Sequence, residues 1–240
     1  MKKPVVAVTF GDACGIGPEL VAKLLARPEI KDVAQLVLVG DPWVWSDGQK
    51  VAGTSLALKE ISDWKAARNG DGAPVFLRTD TVSRDDIVPG QMVPAAGQGA
   101  RLALTACLEA VQRGDIDAIC FAPLKKQAMK KGGMDFEDEL HFFADYFGVQ
   151  DYFCEFNTLG TLWTSRISSH IPLADIPKYV TKDRIKAAAR LTYKTLKSAG
   201  FAQPRVAVAA LNPHGGDGGT CGREEIDIIE PAARGAGALS

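Results

Sequence analysis

Apolar positions follow two periods along this chain. Val5-Val-Ala-Val-Thr9 is apolar on both faces, as a strand buried in a parallel sheet should be. Gly11 to Gly17 turns the chain, and Pro18 suits the first position of a helix in which Leu20, Val21, Leu24 and Leu25 recur at helical spacing. Gln35-Leu-Val-Leu-Val39 predicts a second buried strand, closed by Gly40-Asp41-Pro42, and loops are expected at 69–74 and at Pro89-Gly90. Ala100 to Arg113 predicts a helix with Leu102, Leu104, Cys107, Leu108 and Val111 inward and Gly114 just past its end. Ala118-Ile-Cys-Phe-Ala122 reads as another buried strand. Two more are expected over 161–170 and 205–211, with a helix from Lys182 to Ala199 between them and a further helix after Glu224 to Ile229. Strands alternating with helices predict an α/β fold with a largely parallel sheet.

Composition narrows the function classes. The chain has 240 residues, 46% hydrophobic and 24% charged, with a formal net charge of −1. No Lys/Arg block is present, which argues against nucleic acid or an anionic membrane as partner. The N-terminal apolar run stops at Phe10, too short for a signal peptide, and no window reaches the length of a membrane span. The five cysteines are scattered without a C-x-x-C, as expected of free thiols in a reducing compartment, so a cytoplasmic location is expected.

Four stretches carry candidate chemistry. In "GDACGIGPE", Gly11, Gly15 and Gly17 fit neither the dinucleotide nor the P-loop fingerprint; an anion at the helix start and a plain tight turn both suit them. His170 ends one expected strand, and His214, inside "LNPHGGDGG", lies just past another. Carboxyl edges of parallel strands are where sites gather in open α/β folds, so the two imidazoles suit a shared metal, although each alone also suits a loop. Lys125 and Lys126 follow the strand at 118–122, placing an anion contact or acid–base group at the same edge. Glu137, Asp138, Glu139 and His141 precede Phe142-Phe143, a pattern that also fits the polar face of a helix.

Taken together, "GDACGIGPE", "GQGARLALTACLEAVQRGDIDAICFAPLKKQAM", "SSHIPLADI" and "LNPHGGDGGTCGREEIDIIEP" resemble, in order and spacing, the 4-hydroxythreonine-4-phosphate dehydrogenase family of pyridoxal phosphate (pyridoxine) biosynthesis. The resemblance spans nearly the whole chain, and the N-P-H-x-G-x-x-G block with its following E-E-I is its most specific element. It implies an oxidoreductase fold similar to isocitrate and isopropylmalate dehydrogenases, with two α/β domains flanking a cleft, expected here as 1–122 and 123–240. It also implies NAD or NADP bound without a Rossmann fingerprint, and a homodimer with a shared active site. A divalent metal (Zn, Co or Mg, with imidazole favouring Zn or Co) is implied on three histidines, two from one subunit and one from its partner. His170 and His214 match the first two. Lys126 matches the lysine of the family's A-P-x-x-K segment, in a substrate-contact or proton-transfer role. The implied reaction is metal-assisted oxidation of a hydroxy acid, followed by decarboxylation.

Two departures shape the expectation. Where the family reads G-H-T-E, this chain reads Asp138-Glu139-Leu140-His141, so Glu139 and Leu140 occupy the substrate-holding positions and His141 falls two places later. A carboxylate facing a phosphate is repulsive, which favours a paralogue acting on a non-phosphorylated diol or dicarboxylate. The family also continues through G-P-x-P-A-D and H-D-Q-G segments beyond the position of Ser240. A chain shortened at its C-terminal part is therefore expected, leaving the first domain incomplete, and a non-catalytic remnant is the competing class.

Overall fold

A computed structural model describes residues 3–68, 72–169 and 171–237. His170 and residues 69–71 of the expected loop at 69–74 lie outside them. The chain divides by its contacts into two compact units, Met1–Phe147 and Gly148–Ser240.

In the first unit, strands β1 (Val5–Thr9), β2 (Gln35–Gly40), β3 (Lys59–Ile61), β4 (Val75–Arg78) and β5 (Ala118–Phe121) form one parallel sheet in the order β3-β4-β2-β1-β5. Between and after them come α1 (Gly17–Leu25), α2 (Ile30–Val33), α3 (Pro42–Ala52), α4 (Lys65–Arg68), α5 (Pro94–Gln112), α6 (Lys126–Lys131) and α7 (Glu139–Tyr146). The period-2 geometry of the strands builds two cores from one sheet. Val5, Ala7, Val37 and Val39 face Trp64, Cys107 and Ala110, whereas Val8, Leu36 and Leu38 face Val21, Leu25, Val44 and Trp45. Both faces being covered explains why β1 and β2 read as unbroken apolar runs. Each fully buried Val or Leu contributes about 1.5–3 kcal/mol.

Three local expectations change. Helix α5 begins at Pro94, not Ala100, because Gly97 and Gly99 sit inside it rather than breaking it, and Leu102 points outward at 38% exposure. The segment at 118–122 does form a parallel strand, yet among the described residues β5 pairs only with β1, so Ala118, Cys120 and Phe121 are exposed rather than buried.

The second unit departs further from expectation. Among the described residues, the stretch 161–169 yields only β7 (Leu162–Thr164), antiparallel to β6 (Asn157–Leu159), and 205–211 forms no ladder, with Val206, Val208 and Leu211 exposed. A β-branched alternating stretch becomes a strand only beside a partner, and none lies beside it among the described residues. Helices α8 (Ile176–Tyr179), α9 (Lys182–Ser198) and α10 (Glu230–Gly237), with a π-helical turn at Glu225–Ile229, make up the rest. Val180, Ile185, Ile229 and Ala232 form their core, and Thr181 caps α9 by accepting from the Arg184 N–H. Among the described residues no helix is long and apolar enough to cross a membrane.

Candidate functional site

Sheet topology selects one place in the first unit. The chain leaves β1 towards β2 on one side and returns through β5 on the other, so the connections reverse between β1 and β5. Ligands of open α/β sheets bind outside the carboxyl ends of the strands at such a reversal. The turn after β1 and the loop after β5 meet there: the Asp12 N–H donates to the Pro123 carbonyl at 3.0 Å. A Cβ on Gly11 would lie 2.4 Å from the carbonyl oxygens of Ala122 and Pro123, and one on Gly17 would lie 1.9 Å from that of Phe10. These two glycines therefore serve backbone-to-backbone packing, which favours the tight-turn reading over a phosphate cradle. The buried Asp12 carboxylate accepts from the Cys14 N–H at 2.9 Å, placing negative charge in the turn. No residue of this turn is assigned to a dinucleotide.

A small cavity nearby, of about 20 Å³, is lined by Thr9, Gly40, Asp41, Thr81 and Gly99 among others. That is room for roughly one water and not for a substrate. Asp41, 5% exposed, accepts from the Thr81 N–H at 2.8 Å and the Thr81 hydroxyl at 2.7 Å, so this buried carboxylate ties β2 to the segment after β4.

The loop after β5 leads into the candidate residues. Lys125 precedes α6 and Lys126 opens it, both exposed. Helix α6 is seated against α5 by glycine: a Cβ on Gly97 would lie 2.1 Å from the carbonyl carbon and oxygen of Ala128, and one on Gly132 would lie 2.5 Å from the Gln98 nitrogen. Met129, Met134 and Phe142 then join Leu104 and Leu108 in a third core, which fixes α7.

At the start of α7 stands Asp138, buried, with one oxygen accepting from the His141 backbone N–H at 3.0 Å and lying 2.6 Å from His141 Nδ1. Burial pushes the Asp138 carboxyl up. The hydrogen bonds from the His141 N–H and imidazole, with the charges of His141 and Lys126, outweigh it and hold the group below the usual carboxylate range. The structure thus brings Lys126, Asp138 and His141 to one place at the carboxyl edge. Glu139 and Leu140, half-buried in the first turn of α7, adjoin it. Asp138 is the residue that sequence reasoning undervalued; an Asp three places before a His at a helix start was the available signal.

In the second unit His214 is exposed on a turn in which Gly215, Gly216, Asp217, Gly218 and Gly219 all adopt positive φ. The turn is anchored at its base. Glu225 accepts from the Leu211 N–H at 2.8 Å, and Asn212 accepts from the His214 N–H at 2.9 Å. A Cβ on Gly216 would lie 2.8 Å from the Gly222 carbonyl oxygen. This gives Glu225, the second Glu of the motif, a role in holding the histidine turn. The other histidine, His170, lies outside the described residues. In the same unit, the Arg184 guanidinium lies over the rings of Tyr152 and Tyr179, at 5.3 and 5.1 Å, and its Nε donates to the Ile167 carbonyl. His214 does not follow a strand, since 205–211 forms no ladder among the described residues. Among the described residues no three His, Cys, Asp or Glu side chains gather as metal ligands. A solvent-facing imidazole on a braced turn is nonetheless a donor of the right chemistry for a divalent metal.

The profile of the pyridoxal phosphate biosynthetic protein PdxA family matches residues 32–238. The chain belongs to the PdxA family. A curated relative, putative 4-hydroxythreonine-4-phosphate dehydrogenase 2 of Rhizobium meliloti (strain 1021), is 40% identical over 238 residues, covering 99% of this chain and 68% of the relative. The crystal structure of 4-hydroxythreonine-4-phosphate dehydrogenase from Klebsiella pneumoniae superposes with a TM-score of 0.86 at 27% identity, over 99% of this chain and 71% of that one. A terephthalate 1,2-cis-dihydrodiol dehydrogenase from Burkholderia xenovorans LB400 superposes with a TM-score of 0.60 at 28% identity, over 96% and 69%. This PdxA-family chain is accordingly an enzyme of the dehydrogenase type with an α/β fold built on a mainly parallel sheet.

Proposed function

We propose that this PdxA-family protein oxidises a hydroxy acid with NAD or NADP as hydride acceptor and with a divalent metal, the oxidation being followed by decarboxylation. The gathering of Lys126, Asp138 and His141 at the carboxyl-edge reversal of the sheet is the observation that carries the reading. Lys126 contacts the anionic substrate there or passes it a proton, and the first turn of α7, with Glu139, Leu140 and His141, faces the substrate. His214, with His170, is the ligand pair for the metal, Zn or Co before Mg; when bound, the metal supplies Lewis acidity to the substrate hydroxyl. A homodimer with a shared active site, and an architecture similar to isocitrate and isopropylmalate dehydrogenases, belong to this reading.

A specific observation favours a substrate other than a phosphate monoester. Asp138 and Glu139 place two carboxyl groups at the start of α7, where a helix N-terminus would otherwise attract an anion. A diol, of the kind named for the Burkholderia xenovorans neighbour, suits this better than 4-phosphohydroxythreonine, because its neutral hydroxyls can donate to these carboxyl groups. The test is reduced-nicotinamide absorbance with each substrate in the presence of Zn²⁺, Co²⁺ or Mg²⁺. Turnover of the cis-dihydrodiol dicarboxylate supports the reading; turnover of the phosphorylated substrate alone reverses the substrate choice. Absence of turnover with both removes the dehydrogenase assignment for these substrates.

A further inference from the structure

We infer that Asp138 and His141 form an acid–base dyad, in which Asp138 positions the imidazole and His141 Nε2 accepts the proton of the substrate hydroxyl as it is oxidised. The inference rests on the dehydrogenase reading above and adds to it the group that takes the proton.

The geometry comes from one turn of helix. Asp138 caps α7 through the His141 N–H at 3.0 Å, and the same oxygen lies 2.6 Å from His141 Nδ1. A carboxylate only accepts, so the short contact requires Nδ1 to carry the proton. In the neutral ring that leaves Nε2 as the basic nitrogen, the tautomer logic by which a carboxylate orients a catalytic histidine. Only 8% of the Asp138 side chain is exposed, against 42% of the imidazole, so the orienting group is fixed while the ring reaches the surface. Packing on the third core, through Phe142 on the same helix, holds the base in place. Among the charged groups around the dyad are Lys126, which acts on Asp138, and Glu139 beside it in sequence.

The step moves one proton. The substrate O–H bond breaks, its electron pair stays on oxygen as the carbonyl forms, and Nε2 becomes an imidazolium balanced by Asp138. The two electrons of oxidation leave with the substrate hydride to the nicotinamide acceptor.

Two measurements on the full chain test the dyad. The first is ¹⁵N imidazole NMR, practical because the sequence has three histidines. Neutral His141 is expected as the Nδ1–H tautomer, shifting towards Nε2–H in D138N; an Nε2–H tautomer in the unmodified protein overturns the inference. The second follows reduced-nicotinamide absorbance with a cis-dihydrodiol dicarboxylate and with 4-phosphohydroxythreonine. H141G is expected to lose on the order of 10²–10⁴-fold in kcat with KM changed little, and to recover part of it on addition of free imidazole. D138N is expected to lose about tenfold or more without imidazole rescue. A folded H141G that keeps full kcat while the unmodified enzyme turns over sinks the dyad and leaves the dehydrogenase reading standing. If the unmodified enzyme oxidises neither substrate, the dehydrogenase reading fails and the proton-acceptor role falls with it, whatever the tautomer.

Discussion

Gly97→Ala probes the contact that seats Lys126. A methyl at this position would lie 2.1 Å from the main-chain carbon and oxygen of Ala128, and neither atom can rotate away. Restoring an ordinary contact of roughly 3.4 Å or more requires α5 and α6 to part by more than 1 Å, against interior packing that tolerates little change in volume. Overpacking of this kind costs about 1–3 kcal/mol, and a backbone obstacle puts it at the upper end. Ala is the better helix former by about 1 kcal/mol, so the net loss is about 2 kcal/mol. For a chain of this size that lowers Tm by roughly 4–8 °C. Gly99→Ala in the same helix is the internal control, because there the new methyl meets the Val82 side chain at 3.1 Å. The propensity gain should then nearly cancel the packing loss. Thermal melts followed by circular dichroism compare the two. Equal melting temperatures, or a Gly97→Ala protein as stable as the parent, would refute the argument that main-chain contact sets the α5–α6 spacing.

Other expectations follow from single groups. Asp41→Ala strips the Thr81 N–H and hydroxyl of a buried acceptor and should cost about 2–4 kcal/mol in urea unfolding, with Asp41→Asn costing less. The lowered Asp138 pKa stabilises the fold above the ordinary carboxylate range, and this contribution is lost as pH falls through the folded value. The stability gap between the parent and D138N should therefore shrink below pH about 4, and a gap that widens there would contradict the assignment. His214→Ala, like His170→Ala, should abolish bound divalent metal in elemental analysis while leaving the circular dichroism spectrum unchanged. Metal content unaffected in both would remove the histidine site.

Legibility in the sequence tracked how local each cause was. The strands at Val5–Thr9 and Gln35–Gly40 were plain because both faces are buried, so every position but the terminal Thr9 and Gln35 is apolar. The same reasoning found the strand at Ala118–Phe121 but not its exposure, since its composition is that of an interior strand although among the described residues only one side is paired. It failed at 205–211, since pairing is a non-local event that alternation cannot guarantee. Gly97 and Gly99 hid the start of α5, because their reason for being glycine lies in other segments of the chain, at Ala128 and Val82. Lys126 and His141 could be singled out in the sequence; the buried carboxylate between them could not be told from a helix's polar face until α7 was packed on the third core.

The main-chain contacts of Gly11 with Pro123 and of Gly97 with Ala128 have a consequence for how such enzymes diversify. They fix where the loop after β5 and helix α6 lie without using any side chain that a substrate would touch. The partly exposed residues Glu139 and Leu140, proposed above to face the substrate, can then change without disturbing the scaffold that presents them. Proteins named for a phosphorylated amino acid and for a ring dihydrodiol both superpose on this chain, as expected if specificity drifts on an inherited frame.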